Sequence, residues 1–259
     1  MLITLTTDFG LRDPFVGVMK GVIAGINPQA QVIDVTHGIP AQDVLAGALV
    51  LRHSVTYFPP GSVHVAVVDP GVGSIRRPIL IECGGSYFIG PDNGVLSLAI
   101  AAFKPATIVE LSNLTYQLPA AGTTFHGRDI FAPAAAHLSL GIAPAAFGRK
   151  LDSFFRLALP EIMRRQNTLE GEIIYIDAFG NLFTNIEEHD VTWRSTGCAI
   201  SMGAVRIQGL SPSYAAAGCG EFVAVINSWG VLEIAVNQGS AQRSSGASIG
   251  DKVRLVFGS

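Results

Sequence analysis

Near residue 153 the pattern of the chain changes, and that change constrains the fold more than any other feature. Before it, short apolar runs of strand character alternate with runs of helical character. In order these are "LITLTT", "DPFVGVMKGVIAGI", "QVIDV", "AQDVLAGALVLRHSV", "VHVAVV", "PILIEC", "SYFIG", "GVLSLAIAAF", "ATIVEL" and "RDIFAPAAAHLSL". Such alternation predicts a largely parallel α/β sheet, whose ligands gather beyond the carboxyl ends of the strands. Asp13 is placed to cap the first helix, with Pro14 in its first turn. The next stretch, "SFFRLALPEIMRRQNTL", has no clean period and holds a proline, as a linker does. Beyond it come short strands and turns: "GEIIYID", "NLFTNI", "CAISM", "AVRIQG", "EFVAVIN", "VLEIAV" and "KVRLVF". That spacing predicts a small β-barrel or sandwich. The expected organisation is an α/β domain over residues 1–153, a linker over 154–168 and a β domain over 169–259.

Composition removes several classes of function. Apolar residues make up 49% of 259, enough for a real core. The net charge of -3 gives no basic field for nucleic acid or anionic lipid. The three cysteines, Cys83, Cys198 and Cys219, have no paired spacing, so neither a disulfide framework nor a thiolate zinc site is indicated. Six histidines lie scattered without H-E-x-x-H or similar spacing. "MLITLTTDFG" lacks the basic and apolar regions of a signal peptide, and other apolar runs are short or interrupted. A cytoplasmic protein without a membrane span is expected.

Polar clusters follow several of the strands. "TTDFG" puts Asp8 where the first strand ends, either as a turn aspartate or as a ligand contact. The D-F-G triplet stands without a glycine-rich phosphate loop or H-R-D, so no kinase is implied. "DPGVGSIRR" resembles a phosphate cradle but lacks G-K-[ST], and Asp69 would repel a phosphate. Asp69 paired with Arg76 in a plain turn is the competing reading. "TFHGRD" places His126 just before a helix start. His37 in "VTHGIP" and Asp92 and Asn93 in "GPDNG" suit turns. In the β-rich half, Asp177, Asn181 and Ser228 sit in turns beside apolar strands.

Taken together in order, "TTDFGLRDPFVGVMKGVI", "DVTH", "FPPGSVHVAVVDPGVGSIRRPI", "GPDNGVL", "FHGRDIFAPAAA", "DAFGNLFTNI" and "NSWGVLEIAVNQG" resemble the S-adenosyl-L-methionine (SAM) hydroxide adenosyltransferases, or SAM hydrolases. These are relatives of the fluorinase and chlorinase. The likeness runs from about residue 3 to residue 256. It implies an N-terminal α/β domain and a C-terminal β-barrel. It also implies a homotrimer that binds SAM between the N-domain of one subunit and the C-domain of the next. The implied reaction converts SAM and water to adenosine and L-methionine, with no metal or organic cofactor.

Carried over motif by motif, Asp69, Arg76 and His126 are expected to handle the water as the catalytic set. Asp8 matches the carboxylate that holds the ribose hydroxyls, and Asp177, Asn181 and Ser228 match the grip on the methionine end. Phe183 matches an aromatic beside adenine, and the backbone around Val236 and Gln238 matches the adenine-edge contacts. The halogenases replace the aspartate of "VVDPGVG" and the histidine of "TFHG", and carry a serine where this chain has Gly127. Keeping Asp69 and His126 and lacking that serine places the chain with the hydroxide branch. At Trp229 it departs from the halogenase pattern, where an arginine assists the methionine carboxylate. A non-catalytic SAM or adenosine sensor would have no need of the water-handling set, and a halide-using enzyme is opposed by the same residues.

The implied chemistry explains those residue types. A sulfonium is already a good leaving group, so the difficulty lies in the nucleophile. Water must be held in line, ~3 Å from the carbon attacked. Arg76, always protonated, can stabilise hydroxide character on it. Asp69 holds Arg76 and accepts a hydrogen bond, and His126 orients the water or takes its proton.

Overall fold

The computed structural model describes residues 1–119, 123–191 and 197–258. The chain divides into two compact units, Met1–Leu157 and Ala158–Ser259. The first is built on a six-stranded sheet of β1 (Leu2–Thr7), β2 (Gln31–Thr36), β3 (Val63–Val67), β4 (Pro78–Cys83), β5 (Ser86–Pro91) and β6 (Thr107–Glu110). Their order is β2-β1-β3-β5-β4-β6. The pairs β1–β2, β1–β3 and β3–β5 are parallel, and only β4 runs against its neighbours. The sheet is therefore largely parallel, as expected. The one reversal follows from Gly84 and Gly85, both at positive φ, which turn β4 back into β5.

Alternation along β1 and β3 sorts the core onto two faces. Ile3, Leu5, Val63, Val65 and Val67 pack with Met19 and Ile23 of α1 (Phe15–Ile26) and the alanines of α3 (Ala132–Ser139). On the opposite face α2 (Val44–Ser54) comes close, because a Cβ added to Gly47 would lie 2.9 Å from Val68 Cγ2. That face also buries His64, whose Nδ1 meets Thr4 Oγ1 at 2.9 Å across β1 and β3. Burial holds the His64 pKa down to about 4. In the unfolded chain it returns to its ordinary value of 6.5, so between those two pH values the unfolded state binds more protons. Stability from the neutral ring is complete above pH 6.5 and is lost as pH falls toward 4, by about 3 kcal/mol. Urea unfolding between pH 4 and 7 should therefore show a steeper loss in the native chain than in His64→Gln. Equal slopes would contradict this.

Three local expectations are corrected. Asp13 does not cap α1; Pro14 occupies the N-cap position, and no side chain bonds the first turn. "GVLSLAIAAF" is not a helix but a series of turns, with Ser97 N–H bonded to Gly94 O at 2.9 Å and Phe103 N–H to Ile100 O at 3.1 Å. Gly94 takes φ +100, and Ser97 Oγ donates to Gly94 O while accepting from Leu157 N–H at 3.0 Å. The incoming segment thus holds this stretch in turns. "RDIFAPAAAHLSL" opens with a π-helical turn, Gly127–Phe131, before α3. Pro133 has no N–H for the Asp129 carbonyl, which accepts from Leu118 N–H at 2.9 Å instead.

The second unit is an antiparallel barrel, the alternative that the family resemblance had favoured. Its strands are β7 (Met163–Arg165), β8 (Thr168–Ile176), β9 (Leu182–Glu187), β10 (Cys198–Met202), β11 (Val205–Gln208), β12 (Phe222–Ile226), β13 (Val231–Val236) and β14 (Lys252–Phe257). The path β11-β10-β14-β8-β9-β13-β12 nearly closes, and Ser211 N–H bonds Ala224 O at 2.8 Å across the gap. β14 alternates strictly, with Val253, Leu255 and Phe257 pointing into the core. The segment expected as a linker is ordered by specific contacts. Phe155 N–H bonds Asp92 Oδ1 at 2.7 Å in the first unit. Asn185 Nδ2 bonds Pro160 O at 2.7 Å in the second, and β7 pairs with β8.

Candidate active site in two clefts

The first unit carries a cleft of ≈ 550 Å³ at the carboxyl ends of β1 and β3. Because those strands are parallel neighbours, the residues that follow them, Asp8 and Asp69, both reach its wall. Asp8 Oδ2 accepts from Gln42 N–H at 2.8 Å. Gln42 is held at φ +67, unusual for a residue other than glycine, in the turn that leads into α2. The opposing walls are aromatic: Phe9, Phe15 and Phe125 meet edge to face with centroids 5.2 to 5.9 Å apart.

The three residues expected to handle water come together here. Arg76 donates from Nε to Asp69 Oδ1 at 2.9 Å and from Nη2 to Asp69 Oδ2, a bidentate pair. The Asp69 and Arg76 side chains are 5% and 9% exposed, so water competes weakly for either group. Gly71 and Gly73 allow the loop to fold back over this pair, and Gly73 needs its φ of +78. The guanidinium also lies over the Phe131 ring, 5.6 Å from its centroid. Arg76 Nη1 is buried and has no hydrogen-bond partner among the described residues.

His126 precedes the π-helical turn, and its Nδ1 lies 2.6 Å from Arg76 Nη2. A guanidinium can only donate, so Nδ1 must accept and the ring proton must sit on Nε2. Burial first, and then the neighbouring Arg76 charge, lower the His126 pKa, so the ring is neutral at pH 7. Such a ring offers an N–H from its remaining nitrogen, not a lone pair. Next in the chain, a Cβ on Gly127 would come within 3.0 Å of the Phe125 ring and 3.1 Å of Met19 Sδ. The local packing is therefore fitted to glycine.

The second unit has its own cleft of ≈ 690 Å³ on the outside of the barrel. Asp177, Asn181, Phe183, Ser228, Val236 and Gln238, all expected from the sequence, line it together. Asp177 anchors the turn after β8, with Oδ1 accepting from the N–H groups of Phe179 and Asn181, both at 2.9 Å, and Oδ2 from Asn181 Nδ2 at 3.1 Å. Tyr175, Phe183 and Glu233 are register partners across β8, β9 and β13. Leu182, Leu232 and Ile234 alternate with them and fill the core, so this row faces outward. Trp229, at the position of the halogenase arginine, packs against Tyr175 at 5.0 Å and Phe183 at 4.9 Å. It braces the Phe183 ring.

Sequence reasoning missed Glu233, Tyr214 and Asn227, which line the same cleft. Glu233 is 1% exposed, inside what reads as an apolar strand. A lone acid in "VLEIAV" was the available signal. Among the described residues no group of three or more His, Cys, Asp or Glu is placed to hold a metal ion, and no helix is long and apolar enough to cross a membrane.

Residues 3–148 match the SAM hydroxide adenosyltransferase N-terminal domain, and residues 171–254 match the corresponding C-terminal domain. The chain is 38% identical to an (R)-S-adenosyl-L-methionine hydrolase of Salinispora tropica, over 99% of this chain and 98% of that protein. It is 37% identical to an enzyme of the same name from Thermus thermophilus, over 96% and 97% of the two chains. Its fold superposes with a TM-score of 0.91 on the crystal structure of an uncharacterized conserved protein from Thermotoga maritima, at 34% identity, covering 99% of this chain and 100% of that one. With both domain matches in order and relatives alike from end to end, the chain belongs to the SAM hydroxide adenosyltransferase family.

Proposed function

We propose that the protein hydrolyses S-adenosyl-L-methionine to adenosine and L-methionine by attack of water on C5′. The observation that carries this reading is the part-buried Asp69–Arg76–His126 set, of which Asp69 and His126 line a cleft that also holds Asp8. It offers two donors to one oxygen: Arg76 Nη1, which has no hydrogen-bond partner among the described residues, and His126 Nε2–H. Both stabilise hydroxide character where it develops. Since the His126 lone pair is committed to Arg76, the proton passes to Asp69, whose oxygens keep lone pairs beyond those used by the guanidinium. The sulfonium departs as a neutral thioether, so charge disappears as the bond forms. The aromatic walls formed by Phe9, Phe15 and Phe125 keep water from favouring the separated charges.

Asp8 holds the ribose hydroxyls in this reading. Asp177, Asn181 and Ser228 take the methionine end, and Phe183 and the backbone at Val236 and Gln238 take the adenine. No resident metal or organic cofactor is required. Each cleft carries part of the complement that one substrate needs, which supports a homotrimer whose sites pair the first unit of one subunit with the second unit of its neighbour. Turnover in oxygen-18 water should place the label at O5′ of adenosine, and activity should survive exhaustive EDTA treatment. Unlabelled adenosine, or a strict metal requirement, would defeat attack by clamped water at C5′.

A further inference from the structure

Asp8 sits on a loop held from behind by a chain of side chains that the proposed chemistry does not use. Thr7 and His37 are buried, and His37 Nδ1 lies 2.9 Å from Thr7 Oγ1. The Thr7 hydroxyl oxygen accepts from Phe9 N–H at 3.2 Å, bridging Asp8. On its far side the His37 ring meets Asp34 of β2, with Nε2 3.0 Å from Oδ1 in a bent contact. Lys20 of α1 donates to the other Asp34 oxygen at 2.6 Å. Burial works to raise the Asp34 pKa, but the bonds from Lys20 and His37 outweigh it and hold the carboxylate below its ordinary value. A nitrogen lone pair facing a carboxylate oxygen at 3.0 Å would be repelled, so in the neutral ring Nε2 carries the proton and Nδ1 accepts the Thr7 hydroxyl. The donors then run in one direction, from Phe9 N–H through Thr7 and His37 to the Asp34 carboxylate. The main chain laces the same loops together: Gly10 N–H bonds His37 O at 2.8 Å, and Ile39 N–H bonds Thr7 O at 3.4 Å.

We propose that His37 is a positioning residue: through Thr7 it fixes the backbone on both sides of Asp8 and so aims that carboxylate at the substrate, while touching no reacting atom itself. This rests on the reading of the first cleft as a substrate site. Asp8 and Phe9 both line that cleft. Beyond the Gln42 N–H that meets its carboxylate, the direction of Asp8 is set by the backbone at Thr7 and Phe9. An apolar side chain would fill the place of His37 at a lower cost of burial, so the ring is kept for what it bonds. Asp69, Arg76 and His126 lie on other loops, so disturbing His37 loosens the hold on substrate more than it slows the chemical step.

The test compares the native protein with His37→Leu, His37→Asn and Thr7→Val, each alone and combined with Asp8→Ala. Asparagine returns an acceptor near the place of Nδ1, and valine keeps the shape of threonine while deleting the hydroxyl. Dissociation constants for SAM come from calorimetry, and kcat and KM from nucleoside release, at a temperature where melting curves show every variant folded. His37→Leu and Thr7→Val should each raise Kd and KM about 5–20-fold and change kcat by less than about threefold. Combining the two should add little to either, and His37→Asn should recover most of the affinity. In the Asp8→Ala background both substitutions should lose their effect. Full additivity with Asp8→Ala, a loss that asparagine does not restore, or unchanged affinity in Thr7→Val would each overturn the proposal. If His37→Leu fails to fold, Thr7→Val with and without Asp8→Ala decides alone. A native protein that binds SAM without hydrolysing it defeats the hydrolase reading, while the coupling of His37 to Asp8 is still read from the dissociation constants.

Discussion

Asp69→Asn lowers kcat by ~10²–10⁴-fold and leaves SAM affinity close to that of the native protein. The asparagine keeps the volume and one acceptor for Arg76, whose Nε and Nη2 both rest on Asp69, so the loop should hold its shape. What disappears is the only group in the set able to take a proton. His126 cannot replace it while Arg76 donates to Nδ1. Rapid-quench or steady-state nucleoside release gives the turnover, and calorimetry gives the affinity. His126→Gln, which restores an N–H donor, should retain more activity than His126→Ala, whereas a base at 126 would make both equally poor. An Asp69→Asn enzyme at full turnover would remove Asp69 from the chemistry and return the proton to solvent.

The placement of this set could be anticipated because it depends on backbone rules that act over a few residues. A strand that ends in "VVDPG" must put Asp69 at its carboxyl end, and β1 does the same for Asp8. Parallel pairing then brings the two strand ends side by side. The barrel strands were legible for a similar reason, since alternation such as that of Val253, Leu255 and Phe257 has a period of two and little else produces it. What the pattern could not show depends on partners distant in sequence. "GVLSLAIAAF" is apolar enough for a helix, but the hydrogen bond from Leu157 to Ser97 decides otherwise. The direction of His126 is set by Arg76, fifty residues away. Glu233 becomes conspicuous only once Phe183 and Tyr175 are seen to share its outward face.

Mixing two inactive chains should restore activity, and this outcome separates sites shared between subunits from sites within one chain. One chain carries Asp69→Asn and lacks the proton acceptor. The other carries Asn181→Ala, which removes the Asp177 partner in the second cleft. Each homotrimer alone has every site damaged. In a ring where each site joins the first unit of one chain to the second unit of the next, some mixed interfaces pair an intact first unit with an intact second unit. At equal mixing about one quarter of sites should be whole, and recovered kcat should approach that fraction of the native value. If each site is built within one chain, every site keeps one lesion whatever the mixture, and activity stays at the mean of the two parents. Asparagine is preferred to alanine at 69 because it keeps one acceptor for the 9%-exposed Arg76 guanidinium, whereas alanine would leave both of its donors to that position unmet and unfold the loop under test. The mixed species must be verified by mass spectrometry under native conditions. No recovery from verified mixed trimers would rule out the shared site and leave hydrolysis standing, and a chain that remained monomeric would rule out the trimer itself.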